Sequence, residues 1–280
     1  MRGRGATEQK GALAAAIEAF LAFVQKEPRI RAVFALSTAG ETGRHDAAES
    51  ILASLGRVPE VCIVAIGTGG KVAVANKGRL DVHIEVKGKA SQSSTPWLGV
   101  DAIRGAHAVI ERLGRLDLGP QSYPLLGKPT LTPTAIRSWP EATHTIQDRV
   151  AMTWDRRLLP GQDPEPALRA IAQALQDLGP WSIEVHAGAL QFPAELPADG
   201  AFLRCAREGS RRMGLAEPQT FVSHGCVDSG LFARRGCEAA MWGPGEQAMW
   251  HTDEERLPVS ALKQSAAAYL GFLQAFQEEK

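Results

Sequence analysis

The sequence has no surplus of either charge: Lys plus Arg number 31 and Asp plus Glu number 31, for a formal net charge of zero. A nucleic-acid partner leaves a basic patch or stripe on the protein that binds it. Here no basic run exceeds pairs such as Arg211-Arg212 and Arg234-Arg235, so no nucleic-acid function is expected. No apolar stretch approaches the roughly 18 residues of a membrane span. The N-terminal MRGRG carries no apolar core of a secretory signal. Cysteine is scarce, with four in 280 residues at positions 62, 205, 226 and 237 and no C-x-x-C pair among them. That spacing fits reduced thiols better than a disulfide framework. These absences predict a cytoplasmic protein without a membrane partner.

What is present is a long chain with regular patterning, enough for one large domain or two ordinary ones. Apolar residues at three- and four-residue steps (Leu13, Ala16, Ile17, Phe20, Leu21, Val24) predict a helix over residues 9–24. Short apolar runs at 31–36, 61–65 and 72–75 have the length of buried strands, and a helix over 45–55 stops at Gly56. Helices alternating with such strands predict a parallel or mixed sheet covered on both faces. The character changes near Gly78. Residues 79–86 alternate strictly, with Leu80, Val82, Ile84 and Val86 apolar, which predicts a strand with one wet face. A helix over 99–113, strands over 130–136 and 149–154, a helix over 164–178 and a strand over 181–185 complete a β-α-β-β-α-β order. That is the order of a ferredoxin-like unit. The first pattern then returns, with helices at 201–213, 230–235 and 259–276 and strands at 220–222 and 238–242. The expected organisation is a larger α/β domain formed by residues 1–77 and 190–280, with a smaller α+β domain, residues 78–189, inserted into it.

Several short segments carry candidate chemistry. GPGEQAMWHTDEE, from Gly243 to Glu255, sets a tight turn after a strand, then one histidine and a cluster of acids. Glycine lets backbone approach a ligand closely, and His251 is a candidate metal ligand through a neutral imidazole. The competing reading is a loop histidine with acids that complement the dipole of the last helix. GRGATEQKG places Glu8 at a helix entrance, where a first-turn acid is also expected for the dipole alone. STAGETG places Glu41 just beyond a strand end, where open α/β sheets bind ligands. His45-Asp46 reads as an acid–base pair or, more simply, as Asp46 capping a helix. In GKASQSSTPWLG, Gln92, Ser93 and Ser94 are candidate donors to a substrate oxygen or polar loop residues. His224, Cys226 and Asp228 follow no standard zinc spacing.

Taken in order, these segments resemble the family of metal-dependent aminoacylases and exopeptidases that includes acetylornithine deacetylase, succinyl-diaminopimelate desuccinylase and glutamate carboxypeptidase. The family words GRGASDxKGG, a loop with two adjacent glutamates, an EPT turn, GxxxHSSxPxxGxNAI, DxRxxPG and GPGxxxxAHxxxE read here as GRGATEQKG, STAGETG, AIGTGGK, GKASQSSTPWLGVDAI, DRRLLPG and GPGEQAMWHTDEE. The resemblance runs from Arg2 to the last helix. It implies an α/β zinc-exopeptidase-like catalytic domain with an inserted ferredoxin-like domain through which two copies dimerise. It also implies a di-metal site, and here the sequence departs from the family. The first metal-ligand histidine and its companion Asp lie upstream of GRG in the family, and this chain begins at GRG. Glu8 matches the bridging Asp and Glu41 a metal-ligand glutamate. Gly40 stands where the general base belongs, and glycine accepts no proton. Ile66 stands for the ligand acid of the EPT turn. Gln92 stands for a histidine expected to stabilise an oxyanion, and its amide N–H still donates. His251 matches the terminal ligand, and Arg157 the arginine of DxRxxPG. The guanidinium of Arg157 suits a substrate carboxylate or an ion pair bracing the strand end.

The implied ligand set is therefore Glu8, Glu41 and His251, at most one zinc (or cobalt or manganese) per chain. Glu41, Gln92 and Glu8 are the catalytic candidates, with Glu8 as ligand or as substitute base. Arg157, Gly243 and Gly245 are the substrate-binding candidates. Three readings stand at this stage. The first is hydrolysis of an amide bond in a small N-acyl amino acid or dipeptide. The second is a degenerate member that binds a ligand or partner without turnover. The third is a truncated gene model whose true start lies upstream.

Overall fold

The computed structural model describes residues 1–38, 43–120 and 122–280. It separates into two compact units, one made of Met1–Asn76 with Phe192–Lys280 and one made of Lys77–Gln191.

The unit of residues 77–191 follows from its alternation. Strand β3 (Gly78–Lys87) is central in a four-stranded antiparallel sheet. It lies between β7 (Arg149–Leu158) and β8 (Ser182–Gln191), and β5 (Thr130–Trp139) forms the far edge. Leu80, Val82, Ile84 and Val86 all turn to one face, together with Val150, Met152, Trp154 and Leu158 of β7. Helices α3 (Ala102–Leu113) and α4 (Pro164–Ala174) cover that face through Ala106, Val109, Leu113 and Ile171. Each such buried leucine, isoleucine or valine contributes about 1.5–3 kcal/mol relative to exposure. Asp101 starts α3 by accepting the backbone N–H groups of Ile103 at 2.9 Å and Arg104 at 3.4 Å, the capping arrangement expected of an aspartate there. A short pairing the sequence does not suggest, β4 (Ser91–Gln92) with β6 (Thr145–Ile146), holds the loop between β3 and α3.

The other unit is built on three helices. An initial π-helical turn, Ala6–Lys10, runs into α1 (Gly11–Val24), which packs through Ala15 and Ala19. Its neighbour is α7 (Val259–Glu278), against which α5 (Ala201–Arg212) packs in turn. Two small sheets lie beside them. Strand β1 (Val61–Val64) pairs in parallel with β11 (Glu238–Met241). Strand β2 (Val72–Asn76) pairs in parallel with β10 (Thr220–Ser223) and antiparallel with β9 (Ala194–Glu195). Helices α2 (Asp46–Leu55) and α6 (Ser229–Arg234) cover β1 and β11 through Ala48, Leu231 and Phe232. Trp242 packs edge-on against Tyr269, Phe202 and Phe272, and its carbonyl accepts the Tyr269 hydroxyl at 2.5 Å. This aromatic cluster fixes the end of β11 where the GPG turn begins.

One expected strand is not a strand. Residues 31–36 form no helix or strand, and among the described residues no ladder partner lies beside them. Val33 and Leu36 are 49% and 65% exposed. An apolar run of strand length signals burial only if a neighbouring strand is there to receive it. Among the described residues no helix is long and apolar enough to cross a membrane.

Candidate metal centre

The first turn of the chain, the turn after β1 and the loop after β11 come together through backbone. Gly67 donates to the Glu8 carbonyl at 2.7 Å, Thr68 and Gly70 donate to Gly243 at 3.0 and 2.9 Å, and Gly69 donates to Gly245 at 2.6 Å. The glycines are required by this closeness. A Cβ on Gly245 or Gly67 would meet the Thr7 carbonyl oxygen closer than any real Cβ contact, and one on Gly243 would do the same to the Ile66 carbonyl. Gly243 and Gly245, read as substrate-binding positions in the sequence, are both buried in this seam.

Glu8 leaves the seam with its side chain 11% exposed and its Oε1 3.6 Å from Nε2 of His251. His251 holds φ at 60°, a left-handed conformation that costs a residue with a Cβ on the order of 1 kcal/mol and concentrates at functional sites. The separation exceeds a hydrogen bond. Two ligands each about 2.0–2.1 Å from a tetrahedral zinc lie roughly 3.4 Å apart, so the pair fits two corners of one ion. The third sequence candidate, Glu41, lies outside the described residues, as does Gly40. Among the described residues no group of three His, Cys, Asp or Glu side chains is placed to hold a metal. Ile66, where the family carries a ligand acid, brings only a hydrocarbon to this region.

Glu255 is the residue whose part the sequence reading missed. In the sequence it is one of several acids near the last helix, yet in the structure it is 1% exposed. Its carboxylate accepts the backbone N–H of Gly5 at 2.7 Å and those of Thr7 and Glu8 at 3.0 Å each. Burial pushes its pKa up. The N–H groups of Glu8, Gly5 and Thr7, helped by the charge of Arg4, outweigh that and hold the carboxyl below its ordinary value. The only signal in the sequence was the final E of GPGxxxxAHxxxE.

Of the remaining candidates, Gln92 and Arg157 belong to the unit of residues 77–191 and His45 and Asp46 to the other. Gln92 is exposed on β4, its backbone carbonyl accepting Thr95 N–H at 3.0 Å. Arg157 holds Asp155 through two bonds, Nε at 2.7 Å and Nη2 at 3.0 Å, so a substrate carboxylate could take that edge of the guanidinium only by displacing Asp155. Asp46 is the first residue inside α2, and the residue at the cap position is His45, which makes no side-chain cap bond. The partner of buried His45 is Asp228, with Nδ1 2.9 Å from Oδ1, while Nε2 accepts the Phe192 N–H at 2.8 Å. A backbone N–H only donates, so the proton of the neutral ring belongs on Nδ1. Both ring nitrogens are thus engaged, which corrects the reading of His45-Asp46 as an acid–base pair.

A peptidase dimerisation domain matches residues 74–182. Over 95% of its length the chain is 28% identical to a protein of Pyrobaculum aerophilum, provisionally named a LysW-lysine/LysW-ornithine hydrolase, covering 72% of that protein. It is also 28% identical to the acetylornithine deacetylase of Myxococcus xanthus, over 92% of this chain and 68% of that one. In fold it is similar to the aminopeptidase PepT of Bacillus cereus, with a TM-score of 0.78 at 19% identity, covering 95% of this chain and 70% of that chain. The chain resembles the metal-dependent aminoacylase and exopeptidase family. By that resemblance it is a hydrolase of the metallo-amidohydrolase or peptidase kind, and its α/β fold with a dimerisation domain is that of these structures. Relatives of this kind are metal-dependent, which makes the Glu8–His251 pair the candidate to test first.

Proposed function

We propose that the chain hydrolyses an amide bond in small N-acyl amino acids or dipeptides, using one metal ion where its relatives are expected to use two. The observation that carries this reading is the convergence of buried Glu8 with a conformationally strained His251. Glu8, His251 and Glu41 are the proposed ligands of a zinc, cobalt or manganese ion. Such an ion supplies Lewis acidity to polarise the scissile carbonyl. Gln92 is the proposed oxyanion donor, and Arg157 the proposed carboxylate clamp once freed from Asp155. Release of free amine from a panel of N-acyl amino acids and dipeptides, with each metal added in turn, tests this. Metal-dependent release that a chelator abolishes is expected.

A second reading, ligand binding without turnover, is favoured by Ile66 at a ligand position and by exposed Gln92. A bound ion with no amine release from any member of the panel would support it.

The proposed assembly is a homodimer through the inserted unit. Among the described residues no strand pairs with β5 on the side away from β7, and Ile136 on it is 56% exposed. On α3, Ile103 and Ile110 are seven residues apart and 48% and 37% exposed, a stripe suited to a two-fold contact. Light scattering should give twice the chain mass for the wild type. The Ile110→Glu, Ile136→Glu double variant should run as a folded monomer, and a dimer unaffected by it would place the contact elsewhere.

A further inference from the structure

Glu255 is almost fully buried, and no Lys, Arg or His nitrogen among the described residues lies within salt-bridge distance of its carboxylate. A buried carboxylate without a cationic partner is costly unless hydrogen bonds replace its hydration. The replacement here is a nest of three backbone N–H groups at the start of the first helix, donors that have no partner inside the helix. Those three belong to Gly5, Thr7 and Glu8, the turn that delivers Glu8. Gly67 N–H holds the carbonyl of the same residue. Glu8 is thereby fixed at its nitrogen by Glu255 and at its carbonyl by Gly67, which sets the direction in which its Cα–Cβ bond leaves the backbone. The carboxylate that fixes it stands four residues after His251, on the loop that carries the imidazole.

We infer that Glu255 is a positioning residue that ties the Glu8 turn to the His251 loop and so sets the geometry of that pair. The inference rests on the proposed metal role of Glu8 and His251. A second bond in the same seam provides the control: the Thr7 hydroxyl donates to the Arg256 carbonyl at 2.7 Å without touching the carboxylate.

Glu255→Gln keeps the shape but turns an amide NH2 toward one of the three donors. Residues that orient metal ligands typically cost about 10–100-fold in affinity when replaced, and zinc binding by calorimetry should weaken by that factor in Glu255→Gln. Thr7→Val should retain wild-type zinc affinity. In both zinc-free proteins, hydrogen exchange at the amides of Gly5, Thr7 and Glu8 is read as well. It should accelerate at all three in Glu255→Gln under conditions where melting stays cooperative. Equal zinc loss in both variants, or unchanged exchange at those amides in Glu255→Gln, would overturn the inference. If the wild type binds no zinc, the proposed function fails, and the amide exchange still decides whether Glu255 positions the turn.

Discussion

Gly67→Ala should lower the melting temperature of the unit that contains it by about 6–12 °C. The added methyl would be driven against the Thr7 carbonyl oxygen and would stand 2.9 Å from that of Gly245. Both obstacles are backbone, so no rotamer change relieves them. Overpacking of a tight site typically costs about 1–3 kcal/mol and occasionally more, and a collision with two strands of main chain belongs at the upper end. For a domain of this size about 3 kcal/mol corresponds to the shift stated, at roughly 2–4 °C per kcal/mol. Gly225→Ala is the comparison, since its Cβ would meet only the Ser223 hydroxyl at 3.4 Å, and it should move the midpoint little. Calorimetric melting of the two variants settles the matter. A Gly67→Ala protein as stable as Gly225→Ala would mean that the seam joining Glu8 to the GPG turn is loose. Gly67→Ala should also weaken metal binding, because the displaced residue adjoins Glu8.

The second large effect is on metal affinity. His251→Ala should reduce zinc affinity by more than about 100-fold, because a three-ligand site is the minimum for a zinc that keeps an open position and only two candidate ligands would be left. The left-handed conformation at 251 becomes no easier for alanine, which has a Cβ as well, so stability should change little. His45→Ala should do the reverse. It leaves the Asp228 carboxylate and the Phe192 N–H without their partner, at a cost of about 1–3 kcal/mol, with zinc affinity unchanged. Calorimetric titration together with thermal melting separates the two histidines. If His45→Ala loses zinc and His251→Ala keeps it, the metal centre has been placed at the wrong histidine.

The two units differ in how much of them the sequence made legible. In β3 the strict alternation of Leu80, Val82, Ile84 and Val86 reports a strand half covered by helices, a pattern that depends only on local chain geometry. In residues 31–36 the same kind of apolar run misleads, because pairing is decided by what lies alongside and not by the run itself. The site shows the same division. Glu8 and His251 could be singled out because the words around them resemble a family pattern, and the structure brings them within 3.6 Å. The task of Glu255 was hidden, since an acid near a helix start has an ordinary explanation in the helix dipole. Its three backbone donors lie about 250 residues away in the chain. His45 was hidden for the same reason: its adjacent Asp46 was the obvious partner, and the real one is 183 residues distant. Arg157 carried two readings in the sequence, and its bidentate contact with Asp155 is the ion-pair one.

The number of metal ions held per chain tests the single-ion site most directly. The purified protein would be loaded with zinc, desalted and subjected to elemental analysis, with His251→Ala treated alongside. A site made of Glu8, Glu41 and His251 predicts about one tightly held ion per wild-type chain and essentially none in His251→Ala. Two ions per chain, or an ion retained equally well without His251, would contradict it.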